Sequence, residues 1–497
     1  MVQQDDQLAF DAEQKQEARD FQRGLKDRHV QLIALGGAIG VGLFLGSGRA
    51  ISQTGPGLVV AYVLGGIVIF FIMRALGELM LHRPVAGSFA TYAEEYVSPF
   101  AGFATGWSYW FTWVVTGMAE ITAVGIYTNY WFPSLPQWLP ALIGLCVLYG
   151  VNLIAVKLFG ELEFWFALIK ILAIVALLVA GPLVMLLGWG EAARVSNLWE
   201  HGGIFPTGVL GVVLSLQIVM FAFQGVELIG VTAGEVENPE KSLPKATNAI
   251  AWRILVFYVG ALLVIMALVP WTAFGPGKSP FVMVFDRIGL PAAAGIINFV
   301  VITAAASSCN SGIFSTGRML YTLAYFGQAP KVFGKVSQNH VPAFGITASV
   351  AVMLLGVVLN YFIPEQVFVY VTSVALVGTL WTWAMIMLAH IGYRRAVASG
   401  EAAPVSFRMP GAPVTNWAVL GFLGLVAVFM GFDEETRVAL YIAPIWFCLL
   451  AIGYRLCRRE VVVFGRRPES AGMAVHAPAF ARFLKRNPRP AGRERQL

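Results

Sequence analysis

The sequence has 497 residues, of which 58% are hydrophobic and only 12% are charged. Soluble domains carry about 25% charged residues, so this composition excludes an ordinary soluble enzyme or binding domain and indicates a polytopic membrane protein. The formal net charge is +6, which in a soluble chain would favour nucleic acid as a partner. Here the basic residues fall in short loops and tails between apolar runs, so no nucleic-acid partner is expected.

Twelve apolar runs along the chain approach the roughly 20 residues that a helix needs to cross a bilayer. They predict an all-α protein with twelve transmembrane helices, numbered here as spans one to twelve. The predicted spans lie near 30–51, 57–80, 102–132, 139–156, 164–187, 208–231, 253–271, 291–324, 341–362, 366–392, 416–431 and 438–456. Together they predict a transmembrane domain over 30–457, between a polar tail at 1–29 and a basic tail at 458–497.

The distribution of lysine and arginine predicts the orientation of the spans. Predicted outer loops contain only Arg49, Arg194, Lys278, Arg287 and Arg437, and Lys170 lies within a span. All other basic residues fall in predicted inner loops, at the predicted inner ends of spans or in the two tails. Since short loops rich in lysine and arginine stay in the cytoplasm, we expect both termini there, with the basic tail against anionic lipid headgroups.

Span one contains an unusual concentration of glycine within Leu35–Gly46, at positions 36, 37, 40 and 42. Each glycine costs a helix roughly 1 kcal/mol against alanine, so the helix is weak there. Backbone groups freed at bilayer depth are tolerated where they line a cavity, which favours a solute site. The alternative is that the glycines only allow two helices to pack closely.

Span six carries a second weak point, with polar Gln224, then Gly225 and charged Glu227. A carboxylate at bilayer depth costs about 2.5–3.5 kcal/mol on insertion scales and usually faces a cavity or a partner. Corresponding interruptions in two halves of a chain are typical of inverted-repeat transporters. N–H groups freed in span one can hold a carboxylate, and freed carbonyls can hold an ammonium, which suits an α-amino acid. A channel would need repeated polar linings or charge rings, which the sequence does not show.

Several short motifs mark the ends of the spans in a fixed order. They are Arg23–His29 before span one, Thr54–Gly57 and Arg74–Glu78 at the ends of span two, Gly160–Phe166 at the start of span five, Asn238–Pro244 after span six, and Ser308–Gly312 and Gly317–Leu320 in span eight. In number and order they make the chain similar, over roughly 22–460, to bacterial amino-acid permeases of the amino acid–polyamine–organocation (APC) superfamily. Arg74 and Glu78, one helical turn apart, are expected to form an i,i+4 pair or a gate contact.

The resemblance implies a LeuT-like fold, in which two inverted repeats of five helices precede two further helices and helices one and six are discontinuous. It implies that the substrate carboxylate meets backbone N–H groups around Gly40, Val41 and Gly42. It implies that the substrate ammonium meets carbonyls near Ala38, Phe221, Ala222 and Gln224. Related carriers can have serine or threonine at the position of Val41, so valine here leaves carboxylate binding to the backbone.

Lys170, in the middle of span five, has two interpretations. It resembles the fifth-helix lysine of related carriers, which stands where sodium-coupled relatives hold sodium, and its proton would then couple to transport. Alternatively, its side chain snorkels towards the inner surface, near Glu161 and Glu163. Glu163 lies seven residues earlier in the sequence, about 10 Å along a helix, so that reach is feasible.

Two carboxylates within the spans are further candidates for proton coupling or gating. Glu120 is the only charged residue of span three. It is either a buried, hydrogen-bonded structural group or a group of the pocket or proton pathway. Glu227 either ties the interrupted span six together or takes part in proton coupling.

We therefore expect a multi-pass permease of a bacterial cytoplasmic (inner) membrane that imports amino acids by symport with protons and alternating access. Small residues near the breaks, among them Ala38, Val41 and Ala222, favour neutral substrates. The chain most resembles permeases for glycine, alanine and their D-forms, or for threonine and proline. Aromatic or other amino acids, amino-acid exchange and nutrient sensing on the same fold stay open as alternatives, as does the oligomeric state.

An enzyme, a cofactor and a metal are not expected, because the sequence shows no reactive or metal-binding constellation and the proton gradient supplies the driving force.

Overall fold

The computed structural model describes residues 39–85, 87–154, 156–188, 193–231, 239–338 and 341–457. Ala38 and the predicted tails at 1–29 and 458–497 lie outside these described residues. The described residues form α-helices joined by π-helical and 3-10 segments and turns, with no β-strand among them. The α-helices are α1 (Ser47–Thr54), α2 (Leu58–His82), α3 (Ser88–Tyr96), α4 (Pro99–Thr128), α5 (Trp138–Ile154), α6 (Val156–Leu186), α7 (Gly208–Ala222), α8 (Leu228–Val231), α9 (Pro239–Arg253), α10 (Ala261–Leu268), α11 (Pro280–Arg287), α12 (Pro291–Tyr325), α13 (Ala343–Phe362), α14 (Val367–Ala398), α15 (Val414–Phe429) and α16 (Glu434–Cys457).

Eight stretches of the described chain are long and apolar enough to cross a membrane. They are Gly42–His82, Glu161–Leu186, Glu240–Leu268, Pro291–Tyr325, Ala343–Phe362, Val367–Ala398, Val414–Phe432 and Glu434–Cys457. The two shorter helices α5 and α7 are also apolar. The protein is therefore an all-helical, multi-pass membrane protein over its described residues.

The eight stretches differ from the twelve predicted spans for identifiable reasons. Predicted spans one and two fall in the single stretch Gly42–His82, since a 3-10 turn at Gly55–Gly57 joins α1 directly to α2. Helices α5 and α7 have only 17 and 15 residues. Helix α4 has 30 residues, but its many threonine, tyrosine and tryptophan side chains make it less apolar. Twelve crossings and the inverted repeat stay predictions.

Helix α4 tolerates polar residues because most of its surface faces protein. It packs mainly against α12 and α14, and small residues allow the close approach. A Cβ atom on Gly378 of α14 would lie 1.9 Å from Thr112 Oγ1, and one on Gly312 of α12 would lie 2.9 Å from Trp113 Cε3. The Thr116 hydroxyl donates to the Thr112 carbonyl at 2.8 Å. Helix α4 therefore occupies the centre of the bundle, next to the candidate site.

Candidate solute-binding site

Predicted span six is interrupted in the structure between α7 and α8. Helix α7 ends at Ala222, α8 begins at Leu228, and the residues between them form turns. Gly225 has a φ of +99°, a left-handed conformation that favours glycine. The Glu227 carboxylate accepts hydrogen bonds from the Gly225 N–H at 3.3 and 3.2 Å and from Trp383 Nε1 at 3.3 Å. The Glu227 side chain thus stabilises the turn that contains it and links this turn to α14.

The described part of span one begins in a non-helical conformation at Ile39 and Gly40. It continues as a π-helical segment over Gly42–Gly46 into α1. A Cβ atom on Gly42 would lie 2.6 Å from Ala222 Cα, so only glycine fits where this segment packs on the end of α7. Close packing, one of the two interpretations of the glycines in span one, is confirmed at Gly42, and it places the start of the described part of span one beside the interruption of span six.

A small cavity lies between these two segments and α4. It is lined by Gly40, Gly42, Trp113, Thr116, Glu120, Phe221, Ala222, Gln224 and Ser308. The structure therefore brings together Gly40, Gly42, Glu120, Phe221, Ala222 and Gln224 from the predicted site. Val41, Lys170 and Glu227 are not among its lining residues, and Ala38 lies outside the described residues.

Three polar atoms on the residues that line the cavity have no hydrogen-bond partner among the described residues. They are Glu120 Oε2, Gln224 Oε1 and Trp113 Nε1. The Gln224 side chain is held in place because its Nε2 donates to Thr116 Oγ1 at 2.6 Å. Buried polar atoms are almost always hydrogen-bonded. Two acceptors and one donor around one cavity therefore indicate a place for a polar solute.

Glu120 lies at the N-terminal end of the π-helical segment. The side chain is 2% exposed, and its carboxyl group interacts with the Ser308 hydroxyl and the backbone N–H of Val41. A Cβ atom on Gly40 would lie 2.9 Å from Glu120 Oε1, so glycine leaves room for the carboxyl group. The resemblance implies a substrate carboxylate near the Val41 N–H. A carboxylate bound there would lie beside Glu120.

Lys170 is fully buried beside the cavity. Its Nζ donates to the Ile39 carbonyl at 3.1 Å and to Ser307 Oγ at 3.0 Å. The snorkelling interpretation is therefore wrong, because these two acceptors hold the ammonium inside the bundle. The carboxyl groups of Glu163 and Glu120 both act electrostatically on it. Since Ile39 directly precedes Gly40, Lys170 contacts the same segment that lines the cavity.

A second, larger cavity shares Phe221 with the central one. Arg49 and Gln217 line this second cavity, and both contact Asp433, which precedes α16. Arg49 Nη2 pairs with Asp433 Oδ2 at 2.8 Å, and Gln217 Nε2 donates to the same oxygen at 3.2 Å. The Asp433 carboxylate thus links α1 to α7 next to the second cavity. Phe221 lines both cavities and forms part of the wall between them.

Trp113, Thr116 and Ser308 line the central cavity but are not predicted from the sequence. Trp113 and Thr116 precede Glu120 by seven and four residues, so all three share one face of α4, and helical spacing around Glu120 could have found them. Ser308 reaches the site through the packing of α12 against α4. The motif Ser308–Gly312 marks span eight but does not show which helix it packs against. Among the described residues, no group of three or more His, Cys, Asp or Glu side chains is placed to hold a metal ion.

Comparison with known proteins gives a family and several relatives. The family model for amino acid permeases matches residues 29–463. An uncharacterized amino acid permease, YtnA, of Bacillus subtilis is 55% identical over 444 residues, which are 89% of this chain and 96% of the relative. A probable threonine/serine transporter, YbxG, of the same organism is 50% identical, covering 88% of this chain and 95% of the relative. The D-serine/D-alanine/glycine transporter of Escherichia coli K12 is 46% identical, covering 88% and 94%.

Proposed function

The chain belongs to the amino acid permease family, whose members are transporters rather than enzymes, and we propose that it is a proton-coupled symporter for small neutral amino acids. One observation carries the proposal: the non-helical start of the described part of span one and the interruption of span six meet at one small cavity. The lining of this cavity includes polar atoms of Glu120, Gln224 and Trp113 that are unpaired among the described residues. An α-amino acid supplies both a donor group and an acceptor group to such a site.

The polar ends of the substrate would use different sides of the cavity. Gln224 Oε1, which accepts no hydrogen bond from a described residue, is a suitable acceptor for the substrate ammonium. The backbone N–H groups at the start of the π-helical segment, around Gly40 and Gly42, are suitable donors for the carboxylate. Both contacts involve only the head group that α-amino acids share, so they do not select the side chain.

The size of the side chain would be limited by the aromatic residues of the lining. Trp113 and Phe221 are both buried and leave a small cavity between them. A small neutral side chain fits this wall better than an aromatic one. Relatives named for threonine and serine, and for glycine, D-alanine and D-serine, support the same substrate class for this chain.

Proton coupling would follow from the position of Glu120. A substrate carboxylate at the backbone N–H groups around Gly40 and Gly42 would lie beside the Glu120 carboxyl group, which interacts with the N–H of Val41 between them. Two adjacent carboxylates repel each other strongly, so such a pair is stable only when one of them carries a proton. Substrate binding would therefore favour protonated Glu120, and the proton gradient would drive uptake without any cofactor. Lys170, next to the same segment, is the second candidate for this coupling.

The membrane arrangement is part of the same proposal. We assign twelve crossings, with a LeuT-like inverted repeat and discontinuous helices one and six, to residues 30–457. Both termini would be cytoplasmic in the inner membrane of a bacterium, because basic residues concentrate in the predicted inner loops. Alternation of access would then require movement of α1 and α7 relative to α4.

Uptake into proteoliposomes tests the proposal. The purified protein is reconstituted, a pH gradient is imposed, and radiolabelled glycine is offered in competition with each of the twenty L-amino acids, D-alanine and D-serine. We expect accumulation against a glycine gradient that a protonophore abolishes. We expect alanine, serine, threonine and the two D-amino acids to compete, and tryptophan and phenylalanine to compete poorly.

Three other outcomes would contradict parts of the proposal. Glycine exchange that ignores the pH gradient would indicate an exchanger. Strong competition by aromatic amino acids would overturn the substrate class. Binding without any flux would favour a sensor on the same fold.

A further inference from the structure

A chain of hydrogen bonds leads from the candidate site to a second buried carboxylate on α6. Lys170 Nζ donates to Ser307 Oγ at 3.0 Å, and Ser307 Oγ donates to Glu163 Oε1 at 2.8 Å. We call Lys170, Ser307 and Glu163 the Lys170 relay. Lys170 and Glu163 are seven residues apart on α6, about two helical turns, and Ser307 of α12 bridges that distance.

Glu163 is as deeply buried as the residues of the site itself. It is 1% exposed, and its Oε2 has no hydrogen-bond partner among the described residues. On α12, the side chains of Ser311 and Asn310 interact with its carboxyl group, and both are uncharged. Lys170, on the same helix, is the charged group that acts on Glu163. Because one oxygen of Glu163 accepts no hydrogen bond from a described residue, the carboxyl group can gain a proton there without breaking a hydrogen bond.

The relay has a direction relative to the membrane. At one end, Lys170 contacts the Ile39 carbonyl, which precedes the cavity residue Gly40. At the other end, Glu163 lies closer to the N-terminal end of α6, which the distribution of basic residues predicts to be cytoplasmic. The hydrogen bonds therefore run from the substrate site towards the inner surface.

We propose that Glu163 receives a proton from Lys170 through Ser307 and is the inward step of the proton pathway. The Lys170 ammonium gives one proton to the Ser307 oxygen while the Ser307 hydroxyl gives its own proton to the Glu163 carboxylate. Lys170 becomes a neutral amine, Glu163 becomes a neutral acid, and the Ser307 hydroxyl is regenerated. The total charge of the relay does not change, which suits a transfer in a medium of low dielectric constant.

This inference rests on the proposed function, because it assigns a pathway to the proton that drives uptake. The competing explanation is that Glu163 is only a counter-ion that keeps Lys170 charged. A counter-ion needs no hydroxyl between the two groups, whereas a relay does. Ser307 is therefore the residue that separates the two explanations.

The test compares gradient-driven accumulation with gradient-independent exchange of radiolabelled glycine in proteoliposomes. For Glu163→Gln we expect accumulation under an imposed pH gradient to fall by roughly tenfold or more, with glycine counterflow retained. Glu161→Gln is the matched control, because Glu161 is an exposed glutamate on the same helix and should behave as the wild type. Ser307→Ala should reproduce the loss of accumulation, and Ser307→Thr, which keeps a hydroxyl, should restore it.

Several results would overturn the inference. Accumulation by Glu163→Gln at the wild-type level would exclude Glu163 from the pathway. Equal behaviour of Ser307→Ala and Ser307→Thr would favour the counter-ion, and this pair decides the question if Glu163→Gln fails to fold in size-exclusion chromatography. The wild-type protein reports separately on the proposed function: glycine counterflow without gradient-driven accumulation would refute symport, whatever the variants do.

Discussion

Two groups of buried carboxylates in this protein differ in how their oxygen atoms are occupied. In the first group, Glu120 and Glu163 each have one carboxyl oxygen with no hydrogen-bond partner among the described residues. In the second group, both oxygens of Glu78 are occupied: Oε1 accepts from Arg394 at 2.9 Å, and Oε2 accepts from His390 at 2.9 Å and from the Met409 N–H at 2.6 Å. All three carboxylates are at most 2% exposed, so burial alone does not distinguish them.

This difference in hydrogen bonding indicates a different role for each carboxylate. Glu78 joins α2 to α14 and to the segment that precedes α15, and His390 Nδ1 extends the contact to Asn416 of α15 at 3.1 Å. A buried charge with several donors acts as a structural joint, because removing it leaves its partners uncompensated. A buried carboxylate with an unoccupied oxygen is instead available to a substrate or a proton.

Glu227 resembles Glu78 by this criterion. Its Oε1 accepts from the Gly225 N–H, and its Oε2 accepts from the same N–H and from Trp383. These contacts favour the structural interpretation of Glu227, in which it holds the interruption of span six in its left-handed turn. Proton coupling would then belong to Glu120, Lys170 and Glu163.

The largest effect on stability is expected for Glu78→Ala. The substitution leaves His390 and the Met409 N–H buried without their acceptor. Breaking a buried ion pair costs about 3–5 kcal/mol. We expect a loss of about 3 kcal/mol in the free energy of unfolding, at the lower end of that range, because Arg394 is partly exposed. Glu95→Ala is the control, since Glu95 is 33% exposed in its pair with Arg83 and such pairs contribute about 0–1 kcal/mol. Thermal unfolding of the detergent-solubilised protein measures both changes. Equal shifts in the two variants would refute the structural role of Glu78.

A smaller loss of stability is expected for Gly42→Ala. The added Cβ atom would lie 2.6 Å from Ala222 Cα, and backbone atoms cannot move aside as a flexible side chain can, so overpacking should cost about 1–3 kcal/mol. Gly150→Ala in α5 is the control, because a Cβ atom there meets nothing within 4 Å, and alanine should stabilise the helix by up to about 1 kcal/mol. The same thermal unfolding measurement applies. If Gly42→Ala were as stable as Gly150→Ala, the π-helical segment would not be in close contact with the end of α7.

Sequence patterns predict the membrane class, the interruption of span six and part of the cavity lining, and the resemblance to amino-acid permeases adds Phe221 and Ala222 to that lining. These features are local: hydropathy, glycine content and a charge within an apolar run all lie in one stretch of sequence. Gln224, Gly225 and Glu227 are close together in the chain, so their conflict with a continuous helix is visible without any structure. The same reasoning found Gly40 and Gly42 in span one.

The partners of the buried charges could not be predicted in this way. The sequence predicts an i,i+4 pair or a gate contact between Arg74 and Glu78. The two side chains interact electrostatically, but Arg74 Nη1 donates to Asn248 at 2.9 Å and the partners of Glu78 are other residues. The residues that donate hydrogen bonds to Glu78 lie 312 to 331 positions further along the chain. The sequence places Glu163 only near a snorkelling Lys170, because the link between these two residues passes through Ser307 of a different helix. Helical spacing gives neighbours on one helix and carries no information on which helices meet.

The smallest change in stability, together with a large change in transport, is expected for Glu120→Gln. The amide oxygen can keep the contact of Glu120 with Ser308 and with the Val41 N–H, and the second carboxyl oxygen has no described partner to lose. The free energy of unfolding should therefore change by less than about 1 kcal/mol. Since glutamine resembles the protonated acid, glycine binding should persist and lose its dependence on pH, whereas accumulation under a pH gradient should disappear.

Glu227→Gln is the comparison that makes the Glu120 result informative. At Glu227 the amide NH₂ group would face the Gly225 N–H or Trp383 Nε1, and an unsatisfied buried donor costs about 1–3 kcal/mol. We expect this variant to be clearly less stable than Glu120→Gln when both are measured by thermal unfolding and by glycine binding at several pH values. If Glu120→Gln were the less stable variant, or if it still accumulated glycine, an unoccupied oxygen would not mark the carboxylates that exchange protons, and Glu163 would lose the same support.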